Sequence, residues 1–417
     1  MSSQSFVRSY GFNGSSCGYC ASEEATSHKF GISADTLLCQ DYQALIDRGW
    51  RRSGTYIYKP FLHDSCCPQY TIRLDAMKFQ PSKSQRKLIN RFNRYVEGTY
   101  VPPKSTNEED NDEPPENQPC TTKTKKSNQQ VGKEYDLIES IHEAENKENY
   151  KHNFKIVLEP SSFSHEKYQV YRKYQIEIHK DDEDELTENG FRRFLVKSPL
   201  KSESTNIEGY KYGSFHQCYY LDDKLIAVAV LDILPKCISS VYFFYDPKFA
   251  FLGLGTYSAL REIVMTKEYY NVELKELHWY YMGFYIHTCP KMKYKGQYKP
   301  SDLLDPETYE WHPIERCRSL LDKYKYVSFD NPPDKVNDNK GKEKSDDKNV
   351  NLSSRILDPK NVTYDEVENI KVSINETVVQ FKSVAPYLAN SSGIIEHLKQ
   401  YYTAVGPELA KKMVLIF

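Results

Sequence analysis

Apolar residues four apart mark the clearest helix of the chain: over 81–96, Leu88, Phe92 and Val96 fall on one face. The other faces carry Lys83, Arg86, Lys87, Arg91 and Arg94 without one acid. A second helix is predicted after Ser164, which is placed to cap it. Tyr168, Tyr171, Gln175 and Ile178 run along it, and it displays Lys167, Arg172, Lys173 and His179. Two runs rich in β-branched and aromatic residues, 224–234 and 238–245, are parted by Pro235 and read as an antiparallel strand pair. A glycine turn at 252–256 then opens a helix that reaches Val264, and 277–287 reads as a long strand. Strand, strand, glycine turn, helix, strand is a mixed α/β core. Further on, 370–379 is strand-like and 394–403 helical, with no chemistry attached.

Between these periodic stretches lie two polar ones. Residues 102–149 hold almost no apolar side chain before Val131, too little to offset chain entropy, so a linker or insertion is expected there. The segment 331–349, rich in Asp, Lys and Asn, reads as a disordered loop. The expected organisation is therefore a basic amino-terminal domain over 1–101, the linker over 102–149, a mixed core over 150–330, the loop over 331–349 and a last part over 350–417.

Length supports two or three domains, since 417 residues can bury several ordinary cores. The formal net charge of −2 conceals a basic first domain, with thirteen Lys and Arg against eight Asp and Glu over 1–101. Tyrosine is abundant, 34 copies against 19 Phe and 3 Trp, and supplies flat faces that suit polar clefts and stacked bases. No apolar run has signal-peptide or membrane length, so a cytoplasmic location, with the nucleus as a second, and no membrane partner are expected. In such a reducing compartment ten cysteines are not read as a disulfide framework. Cys39, Cys120, Cys218, Cys237, Cys289 and Cys317 are single and read as small buried side chains.

The paired cysteines differ. Cys17-Gly-Tyr-Cys20 lets two thiolates grip one metal from a tight turn, and Cys66-Cys67 can complete four sulfurs. Zinc and an iron–sulfur cluster both accept that set. His63 is a conceivable substitute but reads as a surface histidine. The Gly253-Leu-Gly255 turn could hold a pyrophosphate, yet Ala250 stands where acyl-CoA-dependent transferases place Arg or Gln, so no coenzyme A is expected. On the strand 277–287, alternation lines up Trp279, Tyr281, Gly283, Tyr285 and His287, bringing a phenol and an imidazole toward one reacting centre. Beyond it, Lys291, Lys293, Lys295 and Lys299 interleave with Tyr294 and Tyr298, a pattern that suits a phosphate backbone with stackable bases.

Several runs together resemble the arginyl-tRNA–protein transferases. They are Cys17-Gly-Tyr-Cys20, Asp47-Arg-Gly-Trp-Arg-Arg-Ser-Gly54, Cys66-Cys-Pro68, Tyr70-Thr-Ile-Arg-Leu74 and Phe79-Gln-Pro-Ser-Lys-Ser-Gln-Arg86. In the second part they are Tyr212-Gly-Ser-Phe-His216, 239–247, 254–263 and 285–296. The resemblance implies an α+β fold: a GNAT-like acyltransferase core, a mainly antiparallel mixed sheet with flanking helices, preceded by a small metal-binding domain. It implies that Cys17, Cys20, Cys66 and Cys67 hold zinc or an iron–sulfur cluster. It also implies that arginine passes from arginyl-tRNA to the free α-amine of proteins beginning with Asp or Glu, which marks them for degradation by the ubiquitin system. For that reaction Tyr285 and His287 are expected to handle the proton, His216, Arg73 and Arg51 to hold the acceptor's acidic side chain, and Asp232 or Asp246 to hold the donor guanidinium. Lys83, Arg86, Lys87 and Arg91, with Lys291, Lys293 and Lys295, are the expected tRNA contacts. Two rival readings are an acyl-CoA-dependent N-acyltransferase and a non-enzymatic RNA- or protein-binding adaptor.

Overall fold

The structure, a computed structural model, describes residues 4–102, 135–145, 147–333, 358–388 and 391–417. In chain order its main elements begin with β1 (Phe6–Cys17), β2 (Ser22–Thr36), α1 (Cys39–Ile46), β3 (Arg51–Ser53), β4 (Tyr56–Pro60), β5 (Tyr70–Asp75) and α2 (Lys83–Glu97). Next come β6 (Phe154–Pro160), α3 (His165–Tyr174), β7 (Glu203–Ser204), β8 (Lys211–Leu221), β9 (Lys224–Ile233), β10 (Cys237–Tyr245), α4 (Leu254–Asn271) and β11 (Trp279–Tyr285). The chain closes with β12 (Ser301–Leu304), β13 (Trp311–Pro313), α5 (Ile314–Leu321), β14 (Lys371–Ile374), β15 (Thr377–Gln380), α6 (Ser391–Val405) and β16 (Val414–Ile416).

The strands form two mixed sheets. One has seven strands in the order β15-β14-β16-β1-β2-β4-β3; the other has nine, β13-β12-β5-β11-β10-β9-β8-β6, with β7 paired to β8. Neither sheet respects the boundary expected at 101. β5, whose Ile72 and Leu74 are fully buried, lies between β11 and β12 of the nine-stranded sheet, and α2 packs Ile89, Phe92 and Val96 into the same core. The last segment returns to complete the seven-stranded sheet, where β16 runs parallel to β1. The polar segments 103–134 and 334–357 lie outside the described residues. The end of the expected linker does not: the short helix Leu137–His142 buries Leu137 and Ile141, and Asn93 Nδ2 donates to Ser140 O at 2.9 Å.

Local chemistry explains the helices that the sequence announced. Ser82 and Gln85 form a reciprocal capping box at the start of α2, and Gly98 in the left-handed region ends it. Ser164 caps α3 through Lys167 N. The displayed face expected for α3 is only partly realised. Lys167 is buried rather than exposed, and the helix widens to a π turn over Gln175–His179, which rotates Ile178 off the inner face into solvent.

Three contacts tie the seven-stranded sheet to the nine-stranded one. Arg52 on β3 pairs with Asp232 on β9 through two 2.6 Å bonds, Nε to Oδ2 and Nη2 to Oδ1. Arg51 Nη2 donates to Gly283 O at 3.2 Å, and Tyr281 Oη donates to Asp47 Oδ1 at 2.5 Å. The arginines of the amino-terminal part thus reach the central strands of the larger sheet.

Candidate active site and cysteine cluster

β10 and β11 run parallel but pair only over Cys237–Ser239 and Trp279–Tyr281. Both strands continue beyond that point without bonding to each other, so the sheet splays open. In β11 the register slips between Tyr281 and Phe284, and Gly283 sits at φ +73°, a conformation that strains any residue with a Cβ. The bulge breaks the alternation that the sequence predicts. Trp279 and Tyr281 face the seven-stranded side, whereas Tyr285 turns into the core of the larger sheet.

A cavity of about 550 Å³ fills the splay. Ser239–Tyr242 and Met282–Phe284 form its two strand walls, and Gly255, Ser258, Ala259 and Glu262 line it from one face of α4. Gly18 and Tyr19 of the cysteine turn, Arg51, Arg52, Lys291, Met292, Tyr294 and Lys295 close it. Arg51 donates from Nη1 to Trp50 O at 2.6 Å, and its Nε has no protein acceptor. Lys295 is half-buried; its ammonium donates to Phe284 O at 2.9 Å, and desolvation together with the nearby Arg51 charge brings its pKa down to about 7. A second cavity, about 390 Å³, lies between the sheets with a mostly apolar wall of Phe12, Phe30, Phe61 and Leu304. Charges and tyrosines line both cavities, but the unpaired edges of two parallel strands open only into the first, which we take as the site.

Several predicted site residues lie elsewhere, each for a definite reason. His216 is fully buried, accepting at Nδ1 from Lys167 Nζ (3.0 Å) with Nε2 against Leu195 O (2.9 Å); burial pushes its pKa down to about 4, so it stays neutral. Asp232 is neutralised by Arg52 and also accepts from Ser214 Oγ. Asp246 caps the turn at Lys248 N and pairs with Lys173 at 3.3 Å. Arg73 is sandwiched between Trp279 and Trp311, 3.5 and 3.9 Å from the ring centres, and touches Asp302. Tyr285 Oη meets His287 Nδ1 at 2.8 Å, and His287 Nε2 meets Asp322 at 2.7 Å, but this chain of polar groups faces a separate depression with Lys293 and Arg318. Of the predicted substrate and tRNA residues, Arg51, Lys291 and Lys295 come together in the cleft. Glu262 escaped the sequence reading; its signal is the Gly255-x-x-Ser258-x-x-x-Glu262 spacing along one helical face.

The four paired cysteines do converge. Their Sγ atoms all lie within 4.8 Å of one another, with Cys20 and Cys66 at 3.5 Å. One four-coordinate ion bound at about 2.3 Å from each sulfur needs about 3.8 Å between sulfurs, so the residues present fit a single metal. Burial opposes a thiolate at Cys17, but N–H groups of Cys20 and Tyr19 outweigh it and lower its pKa to about 7. Ile286, Cys289 and Met292 pack on the cluster, which thereby braces the turn that leads into Lys291 and Lys295. His63 is not part of it, pairing instead with Asp64 at 2.6 Å. Cys289, expected to be a small buried side chain, is one, and the fold sets it against the metal-type site.

The expected basic surface exists on α2, where Lys83 and Lys87 are exposed and Arg86 and Arg91 half-buried, with no acid paired to any of them among the described residues. Leu88 and Arg91 pack over Gly253, within 2.8 and 3.4 Å of where a Cβ would stand, so the glycine turn is covered by α2. Phe79, just before α2, stacks on Tyr298 of the lysine loop and links the two basic elements.

Family models described as arginine-tRNA-protein transferase, N terminus, and arginine-tRNA-protein transferase, C terminus, match residues 15–87 and 166–305. Arginyl-tRNA–protein transferase 1 of Drosophila melanogaster is 35% identical over 79% of this chain and 87% of its own length. Arginyl-tRNA–protein transferase 2 of Arabidopsis thaliana is 31% identical over 79% and 78%. An aspartate/glutamate leucyltransferase of Campylobacter jejuni is 24% identical over 62% of this chain and 78% of its own. These matches place the chain among aminoacyltransferases. It belongs to the arginyl-tRNA–protein transferase family.

Proposed function

We propose that the protein moves arginine from arginyl-tRNA to the α-amine of proteins beginning with Asp or Glu, in the cleft between β10 and β11. Family membership carries the reaction, and the cleft carries its location. The amine nitrogen attacks the ester carbonyl carbon, a new amide C–N bond forms, the ester C–O bond breaks, and the terminal ribose hydroxyl leaves with a proton that the amine gives up. The ester is already activated, so the cleft has to position two reactants and move one proton. No nucleophilic side chain is needed.

Roles follow from what each group can do. Arg51, with an unsatisfied Nε at the cleft wall, suits the acceptor's acidic side chain. Lys295, with a pKa of about 7, is the cleft group suited to relay the proton, in place of Tyr285 and His287, which face away. The splayed parallel pair with a helix packed beside it supports a GNAT-like core. The compact four-sulfur cluster supports one zinc-type ion, held by Cys17, Cys20, Cys66 and Cys67, which would brace the cleft wall. The tRNA is proposed to lie along α2 and the loop with Lys291 and Lys293. Products would enter amino-end-dependent degradation by the ubiquitin system. A cytoplasmic location, with the nucleus second, suits metal-ligating thiols; cell fractionation that recovers the protein in a secretory compartment would contradict it. No helix among the described residues is long and apolar enough to cross a membrane.

The test offers tRNA charged with labelled arginine together with peptides beginning with Asp, Glu or a neutral residue. Label should enter only the acidic peptides. Transfer that depends on an acyl-CoA, or RNA binding without turnover, would overturn the reading.

A further inference from the structure

We propose that Glu262 is the residue that reads the donor's guanidinium, at a subsite formed with Ser240, Ser258 and Tyr280 in the cleft; the proposal rests on the arginyl-transfer reading above. Six carboxylates are buried among the described residues: Asp41, Asp75, Asp232, Asp246, Glu262 and Asp305. Four have a cation, Lys412 at 2.5 Å from Asp41, Lys78 at 3.1 Å from Asp75, Arg52 at 2.6 Å from Asp232 and Lys173 at 3.3 Å from Asp246. Asp305 has none but is saturated: it accepts N–H bonds from Glu307, Thr308, Phe329 and Asp330 and a hydroxyl from Ser328.

Glu262 has neither kind of compensation. Its oxygens accept from Ser258 Oγ at 2.6 Å and Tyr280 Oη at 2.7 Å, with the Ser240 hydroxyl also in reach, and no Lys, Arg or His lies within ion-pair distance among the described residues. Neutral hydroxyls satisfy part of a carboxylate's acceptor capacity and leave its charge unopposed in a buried wall. Burial accordingly raises its pKa, and an incoming cation would restore the ionised form.

The surroundings fit a guanidinium. Glu262 is the one carboxylate among the cleft-lining residues, against Arg51, Arg52, Lys291 and Lys295. Gly255, Ser258 and Ala259 keep the same helical face low, and Tyr294 and Tyr298 line the same cavity, aromatic neighbours that suit a planar cation. The cleft is therefore polarised. A positively charged side chain is welcomed at Glu262 and repelled elsewhere, while an acidic side chain is drawn toward Arg51. The same charge pattern orients donor and acceptor with respect to each other.

The test compares tRNA charged with arginine and with citrulline, which keeps the length and planarity of the side chain but replaces one guanidinium nitrogen by a carbonyl oxygen and carries no charge. Wild-type protein should prefer arginine by about 100-fold in kcat/KM. In Glu262→Gln, arginine transfer should fall about 100-fold while citrulline transfer holds, so that the ratio approaches one; Glu262→Asp should recover part of the preference. A merely structural role would lower both substrates together and leave the ratio intact, which overturns the proposal, as does wild-type transfer without the preference. Wild-type protein that transfers neither group overturns the arginyl-transfer reading and this proposal with it. Should the Gln variant misfold, calorimetry of wild type with arginine amide and citrulline amide decides: tighter binding of arginine amide by tenfold or more is expected, and equal binding overturns the assignment.

Discussion

The side chains of Arg52 and Asp232 are both at most 2% exposed, and between them they fasten the small β3–β4 hairpin to the larger sheet. Arg52→Met leaves a buried carboxylate with one hydroxyl, so urea unfolding should show a loss of about 3–5 kcal/mol; adding Asp232→Leu should return much of it, because removing both charges removes the desolvation burden too. His216 makes a second residue-level prediction. Its folded pKa of about 4 lies below the unfolded value of about 6.5. The unfolded state therefore takes up the proton first, and stability present above pH 6.5 is lost as pH falls from about 6.5 to about 4, at up to about 1.4 kcal/mol per pH unit. Denaturant midpoints measured across that window should show the slope, and His216→Gln should flatten it. Lys295 predicts a kinetic counterpart. The rate of transfer should rise with pH through two ionisations, those of the acceptor amine and of Lys295, and Lys295→Met should keep only the first.

Elements set the cleft through two devices, a bulge and a cluster. The bulge at Gly283 turns Tyr285 inward and leaves the Gly283 carbonyl to Arg51. The cysteine cluster packs on Ile286, Cys289 and Met292, the turn that follows β11. Stripping a metal held there, or replacing Cys17 and Cys20 by Ser, should therefore lower the melting temperature by roughly 3–4 °C, the shift expected for about 3 kcal/mol in a chain of this length, and raise KM for the acceptor. An unchanged melting curve after metal loss, checked by metal analysis, would argue against a bracing role. On α2, Lys83→Gln with Lys87→Gln should weaken tRNA binding for all sequences alike and reduce the slope of log K against log salt by about 2.

Across the whole molecule, what the sequence made legible was local. α2, α3, the β9–β10 pair, the glycine-led α4 and the four-cysteine set all follow from spacing, capping and pairing, and the structure has them. Strands β1 and β2 went unread because Gly, Ser and charged residues interrupt any alternation, and their pairing is settled by partners as distant as β16. The substrate residues were harder still. His216, Asp232 and Arg73 have the right chemistry, but each is consumed by a neighbour far away in the chain, Lys167, Arg52 or the two tryptophans, and only the fold brings those neighbours in. Glu262 has hydroxyl donors but no cation beside it among the described residues, and spacing along α4 is its one sequence trace.

That transfer takes place in the splay between β10 and β11 is a claim that Gly255→Trp puts to the test. Gly255 lines that cleft, and a Cβ added there meets nothing within 4 Å, so the indole would fill the cavity without displacing the core. Single-turnover transfer of labelled arginine from tRNA to an Asp-initiated peptide should fall by about 100-fold or more while the melting temperature stays within about 2 °C of wild type. Transfer at the wild-type rate by a folded Gly255→Trp protein would contradict the claim.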